Sequence, residues 1–99
     1  MQIDIRSIHF KADRKLEDFI TEKVEKLSQF YDGVIGTEVS LKLSNSENAD
    51  NKITEIRLNV RGNDLYAKKQ SKSFEESTDN AVEALRRQLI KHKQKERGN

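Results

Sequence analysis

Residues 54–71 read TEIRLNVRGNDLYAKKQS, and this stretch decides the fold. Ile56, Leu58 and Val60 alternate with Glu55, Arg57, Asn59 and Arg61, the two-residue period of a strand with one apolar and one wet face. Gly62 and Asn63 suit a tight turn, and LYAKKQS then returns as a partner strand with Tyr66 out of phase with Leu65 and Ala67. A hairpin with one polar face needs a cover on the other. The flanking sequence has to supply it.

Upstream, TEVSLKLS alternates again, with Val39, Leu41 and Leu43 expected inward and Glu38, Ser40 and Lys42 outward; the polar loop NSENADN joins it to the hairpin. Before it, Asp13 is placed to cap a helix carrying Leu16, Phe19, Ile20, Val24, Leu27, Phe30 and Tyr31 at three- and four-residue spacings, with Gly33 placed to end it. QIDIRSI, with Ile3 and Ile5 on one face, reads as a first strand. Downstream, Ser73 and Glu76 form the S-x-x-E signature that opens a long last helix. The expected fold is α+β, in the order β-α-β-β-β-α: a four-stranded sheet with two helices packed on one face. The first two strands, joined through a helix, are expected to be parallel with a right-handed crossover, and the other pairs antiparallel.

Ninety-nine residues suit one domain, 1–99, with 96–99 expected as a disordered tail. The absence of Cys excludes disulfides and thiolate chemistry. No apolar run exceeds the three residues Leu65, Tyr66 and Ala67, so there is neither a signal-peptide core nor an apolar membrane span, and the chain reads as soluble and cytoplasmic.

A net charge of only +2 hides an uneven distribution. Residues 1–33 carry six cations and seven anions, whereas residues 52–73 and 83–97 each carry six and two. The offsetting acids lie in the first helix, at Glu47 and Asp50 of the loop, and at Glu75, Glu76 and Asp79. Unrolled at about 100° per residue, the last helix turns Phe74, Thr78, Ala81, Leu85, Leu89 and His92 toward the sheet. Arg87, Lys91 and Lys95 follow one flank; Arg86, Lys93 and Arg97 follow the opposite one. Cations near a helix C-terminus favour the macrodipole and keep a surface soluble, which accounts for Lys93, Lys95 and Arg97 better than for Arg87 and Lys91. Like charges four residues apart disfavour a helix by a few tenths of a kcal/mol per pair, so binding of a polyanion is the competing explanation.

Lys23 falls near the middle of the first helix's apolar stripe, where an unpaired ammonium is costly to bury. It either snorkels to solvent or, with Lys26, extends a phosphate-binding surface. Lys42, Arg57, Arg61 and Lys68 share the open sheet face with Glu38 and Glu55, and read as a solvated surface. His9 and His92 are the only histidines and stand in no metal-ligand or nucleophile-base spacing. The four glycines stand singly, so there is no phosphate-cradling loop. No enzyme, cofactor, metal or small-molecule substrate is expected. Most of the six aromatics fall on apolar faces, which favours folded RNA over stacked single strands as a partner.

Two segments carry a resemblance. DIRSIHFKADRKLEDFITEKVEKLSQFYDG resembles the first strand and helix of the ribosome hibernation promoting factor family, which includes the ribosome-associated inhibitors and sigma-54 modulation proteins. DLYA followed by ALRRQLIKHKQK resembles its C-terminal signature, most specifically RQL-x-KHK from Arg87 to Lys93. The resemblance implies a fold similar to a double-stranded RNA-binding domain with an added first strand. It implies a factor that binds small-subunit ribosomal RNA in the channel otherwise held by messenger and transfer RNA, keeping ribosomes inactive in stress or stationary phase. Lys23, Lys26, Arg87, Lys91, Lys93 and Lys95 match basic positions of the family, and Arg86 joins them as a neighbour. The sequence departs from the pattern at Ala84, where relatives often carry Lys, and at Ser77 and Thr78, where Ala and Ile are common. The first departure shortens the basic stripe; the second bears on packing.

A chain ending soon after the last helix matches the short form, without the long form's dimerising domain or the inhibitor's extended tail. The implied partners are the small ribosomal subunit, its ribosomal RNA and whole ribosomes, with no membrane; whether ribosome dimers are among them, and whether a helper protein is needed, these residues leave open. The alternatives are a general structured-RNA binder and, in another class, a protein-interaction module whose cations only solubilise it.

Overall fold

The computed structural model describes residues 1–45 and 49–96, the side chain of Glu96 excepted. The elements are β1 (Gln2–Ser7), α1 (Arg14–Phe30), β2 (Val34–Leu43), β3 (Lys52–Val60), β4 (Asn63–Ser71) and α2 (Phe74–Glu96). They build the expected order around one four-stranded sheet, β1-β2-β3-β4, with β1 parallel to β2 and the other neighbours antiparallel. Glu47 in the loop, Arg97 on the α2 flank and residues 97–99 of the expected tail lie outside the described residues.

Local chemistry sets the helix ends. The Asp13 carboxylate accepts the Leu16 N–H at 2.8 Å, and the Ser73 hydroxyl accepts the Glu76 N–H at 3.1 Å, each satisfying a donor that the first turn leaves without a partner. α1 ends differently from expectation. It stops at Phe30 because Tyr31 turns extended, at φ −146° and ψ 119°, three residues before the β2 strand begins. Gly33 serves close approach instead: a Cβ there would stand 2.5 Å from the Tyr31 ring. The hairpin turn is also one residue earlier than expected. Val60 pairs with Asn63, leaving Arg61 and Gly62 as the turn, and Gly62 takes φ 84°, a conformation open to glycine without strain.

The core forms where α2 lies across β3 and β4 and α1 packs beside it over β2. Ile20, Val24 and Leu27 of α1 meet Val39, Leu41, Ile56 and Leu58 of the sheet and Ala81, Leu85 and Leu89 of α2, all buried. Leu43, expected inward, is 48% exposed. It pairs with Lys52 at the sheet end, one inward position beyond the Leu41–Thr54 pair, and the first turn of α2 covers only as far as Thr54.

That turn holds a polar knot inside the core. Thr54, Ser77 and Thr78 are fully buried; Thr54 Oγ1 lies 2.6 Å from Ser77 Oγ and 3.4 Å from Thr78 Oγ1, and Ser77 Oγ donates to the Phe74 carbonyl at 3.3 Å. Each hydroxyl has one proton, so a consistent direction runs from Thr78 to Thr54 to Ser77 to Phe74 O. Ser77 and Thr78, the positions at which the sequence departs from the family pattern, are thus satisfied by a threonine that β3 presents in phase with Ile56. Thr54→Val is expected to destabilise the fold by about 1–3 kcal/mol, because it strands buried hydroxyls. The triple change Thr54→Val/Ser77→Ala/Thr78→Val is expected to recover most of that loss. Denaturant midpoints at unchanged slope measure both; equal loss in the single and triple variants would contradict the knot.

Candidate nucleic-acid interface

On α1, positions 19, 23, 26 and 30 recur at helical spacing and place Phe19, Lys23, Lys26 and Phe30 on the flank that faces α2. Asp79, Val82, Glu83 and Arg86 answer from α2, and between the helices lies a groove of about 690 Å³. Lys23 Nζ is 3.3 Å from an Asp79 carboxylate oxygen and 5.4 Å from the centre of the Phe19 ring. The ammonium therefore does reach out of the apolar stripe, but onto a carboxylate. Farther along, Arg86 and Lys93 approach the Phe30 ring at 5.7 and 5.4 Å, within the range where a ring face attracts a cation.

Arg87, Lys91 and Lys95 are exposed along the other flank of α2, about 6 Å apart from the helical rise. Gln88 fixes that flank beside the sheet edge: its Nε2 donates to the Tyr66 carbonyl of β4 at 2.8 Å. Ala84, half-buried against the core, opens the same flank without a charge. The seven cations singled out in the sequence thus form two groups: Lys23, Lys26, Arg86 and Lys93 about the interhelical groove, and Arg87, Lys91 and Lys95 beside β4.

Ion pairs hold one of these seven cations and three of those of the sheet. Among the described residues the bridges engage Lys23, Lys42, Arg57 and Lys68, and leave Lys26, Arg86, Arg87, Lys91, Lys93 and Lys95 without a carboxylate partner. On the open sheet face Glu55 is the hub. Lys42 Nζ lies at 2.8 Å, Lys68 Nζ at 3.9 Å, and the Tyr66 hydroxyl donates to it at 3.1 Å, while Arg57 faces Asp64 at 3.9 Å. Three cations of that surface are thus paired, whereas Arg61 has no carboxylate partner among the described residues. The Lys42 hydrogen bond holds the Glu55 carboxyl below its ordinary 4.5, the same contact raises Lys42 above 10.5, and burial with the Glu55 bond raises Tyr66 above 10.0.

A depressed carboxylate stabilises the fold above its unfolded pKa and loses that contribution as pH falls through the folded value. The raised Lys42 and Tyr66 act on the opposite limb: their contributions are complete below their unfolded values and fade as pH rises through the folded ones. Glu55→Gln is accordingly expected to lower Tm at neutral pH, with the gap from the parent closing below about pH 4. A gap constant from pH 7 to pH 3 would contradict the assignment.

His9 is exposed with φ 66°, in the left-handed region, and His92 sets its ring edge-on to Tyr31 at 5.5 Å between centroids. Among the described residues no three His, Cys, Asp or Glu side chains cluster as a metal site, and no helix is long and apolar enough to cross a membrane. Sequence reasoning placed Phe30 only in the apolar stripe and Asp79 only among offsetting acids. The groove that joins them was signalled by the 19-23-26-30 spacing.

The family described as Sigma 54 modulation protein / S30EA ribosomal protein matches residues 3–97. The chain belongs to this family. The family's description names a modulation protein and a ribosomal protein, and the family is not one of enzymes. Among relatives, the ribosome hibernation promoting factor of Klebsiella oxytoca is 31% identical over 98 residues, covering 96% of each chain. That of Escherichia coli strain K12 is 28% identical over 95 residues, again covering 96% of each. The fold is shared with a ribosomal subunit interface protein from Coxiella burnetii, at a TM-score of 0.83 and 18% identity over 94% of this chain and 98% of that one. The N-terminal domain of Thermus thermophilus Protein Y superposes at a TM-score of 0.80 and 19% identity, over 93% and 99%. The resemblance read from DIRSIHF and RQL-x-KHK therefore extends to the family and to the fold.

Proposed function

We propose that this protein is a cytoplasmic ribosome hibernation factor, acting by occupancy rather than by chemistry. It binds ribosomal RNA of the small subunit in the channel that messenger and transfer RNA use, and so keeps ribosomes inactive under stress or in stationary phase. The observation that carries this reading is the set of α2 cations, Arg87, Lys91 and Lys95 on one flank and Arg86 and Lys93 on the other, gathered on one helix without carboxylate partners among the described residues. Phosphates supply the charge that the fold withholds from them. Lys26 adds a contact from α1, and Lys23 contributes when Asp79 releases or shares it. The hibernation factors among the relatives support the ribosome as the RNA-bearing partner.

Cosedimentation with purified small subunits across a salt series tests the reading against a general structured-RNA binder. Saturable binding is expected, with log affinity falling by about 0.7–0.9 per log salt for every phosphate engaged, and an isolated RNA duplex is expected to bind far more weakly. Comparable affinity for the duplex would favour the general binder. Negligible binding to either RNA at about 0.15 M salt would leave a protein-interaction module.

A further inference from the structure

The interhelical groove has a lining that phosphate contact alone does not explain. A purely phosphate-binding cleft would exclude carboxylates, yet Asp79 and Glu83 stand on its α2 rim. Its apolar lining is Leu27, Val82 and the half-buried ring of Phe30, with the Arg86 guanidinium 5.7 Å from that ring. Its volume of about 690 Å³ falls in the range of small-ligand sites. Apolar walls with an aromatic and a guanidinium suit the faces of a flat heterocycle. A cation on the opposite rim, Lys26, suits the phosphate attached to it. The carboxylates then decide which heterocycle.

An ionised carboxylate only accepts hydrogen bonds. Guanine alone among the four bases presents two adjacent donors, N1–H and the N2 amino group, on one edge; adenine and cytosine set an acceptor beside their amino group, and uracil flanks one N–H with two carbonyls. Glu83 is exposed and has no cation partner among the described residues, while Asp79 gives one oxygen to Lys23 and keeps its other acceptor sites. We infer that the α1–α2 groove is a guanosine-nucleotide site: the base lies against Phe30 and Arg86, its N1–H and N2 amino group donate to Glu83 or Asp79, and its phosphate meets Lys26. The nucleotide arrives either as an unpaired guanosine of the bound RNA or as a free guanine nucleotide. The RNA-borne form rests on the proposed function; the free form does not.

Amide chemical-shift titration of the whole protein distinguishes them, using GMP, AMP, CMP and UMP and, separately, unpaired RNA pentamers that differ only in a central G or A. Shifts confined to residues 23–30 and 79–86, with guanine favoured about tenfold over adenine, are expected. Asp79→Asn/Glu83→Gln is expected to abolish that preference, since an amide pairs as readily with adenine, while Lys42→Glu, on the open sheet face, is expected to retain it. Guanine preference in the pentamers alone assigns the site to RNA; preference in the mononucleotides as well assigns it to both sources. Equal response to all bases, no response in the groove, or a preference unchanged in the carboxylate variant overturns the inference. Small-subunit cosedimentation of the same samples reports on the proposed function independently.

Discussion

Arg87→Glu/Lys91→Glu is expected to lose at least about 100-fold in affinity for small subunits at physiological salt, with the fold unchanged. Both side chains are exposed and neither is ion-paired among the described residues, so their reversal disturbs no internal contact. A hydrogen bond to a charged group contributes about 1.5–3 kcal/mol, and two such contacts are replaced by repulsion of the phosphates. Loss of two phosphate contacts also lowers the salt dependence by about 2 log units per log salt. The companion change Lys42→Glu, on the open sheet face where Lys42 already pairs with Glu55, is expected to leave affinity nearly as it was. Circular dichroism confirms the fold of each variant, and cosedimentation reads the binding. Equal binding by parent and Arg87→Glu/Lys91→Glu would remove that flank from the mechanism.

Leu85→Ala is expected to destabilise the protein by about 2–5 kcal/mol and to lower Tm by on the order of 10 °C or more. Leu85 is wholly buried where α2 crosses the sheet, between the fully buried Ala81 and Leu89 of the same face. Removing its isobutyl group leaves a void bounded by strands on one side and α1 on the other, with little freedom to collapse. Because Leu85 also sets the roll of α2, the flanking cations lose rigidity together with stability. Thermal and denaturant unfolding report the loss; a change under 1 kcal/mol would mean that α2 is not seated as described.

The parts that local chemistry controls were legible in the sequence. Strand alternation around Ile56 and Leu58, the Asp13 and Ser73 caps, and the inward face from Phe74 to Leu89 each follow from a period or from one hydrogen bond. What the sequence misplaced depends on neighbours distant along the chain. Gly33 reads as a helix stop, but its role comes from a ring two residues back that folds over it. Leu43 keeps the inward phase, and whether anything covers it depends on where α2 begins. Thr54 looks like an ordinary strand threonine until α2 brings Ser77 to 2.6 Å from its hydroxyl. For the candidate site, helical phase separates the α2 cations into two flanks without any coordinates. The Lys23–Asp79 pair, the cations over Phe30 and the Glu55 hub each join elements whose relative placement only the fold supplies.

The most direct test of occupancy in the decoding channel is competition on purified small subunits at about 0.15 M salt. Labelled protein is bound to saturation and then titrated with messenger RNA and cognate transfer RNA. The account predicts that the two RNAs together displace the protein completely, and that pre-bound protein blocks transfer RNA with the same apparent affinity. Simultaneous binding of protein, messenger RNA and transfer RNA to one subunit would contradict it.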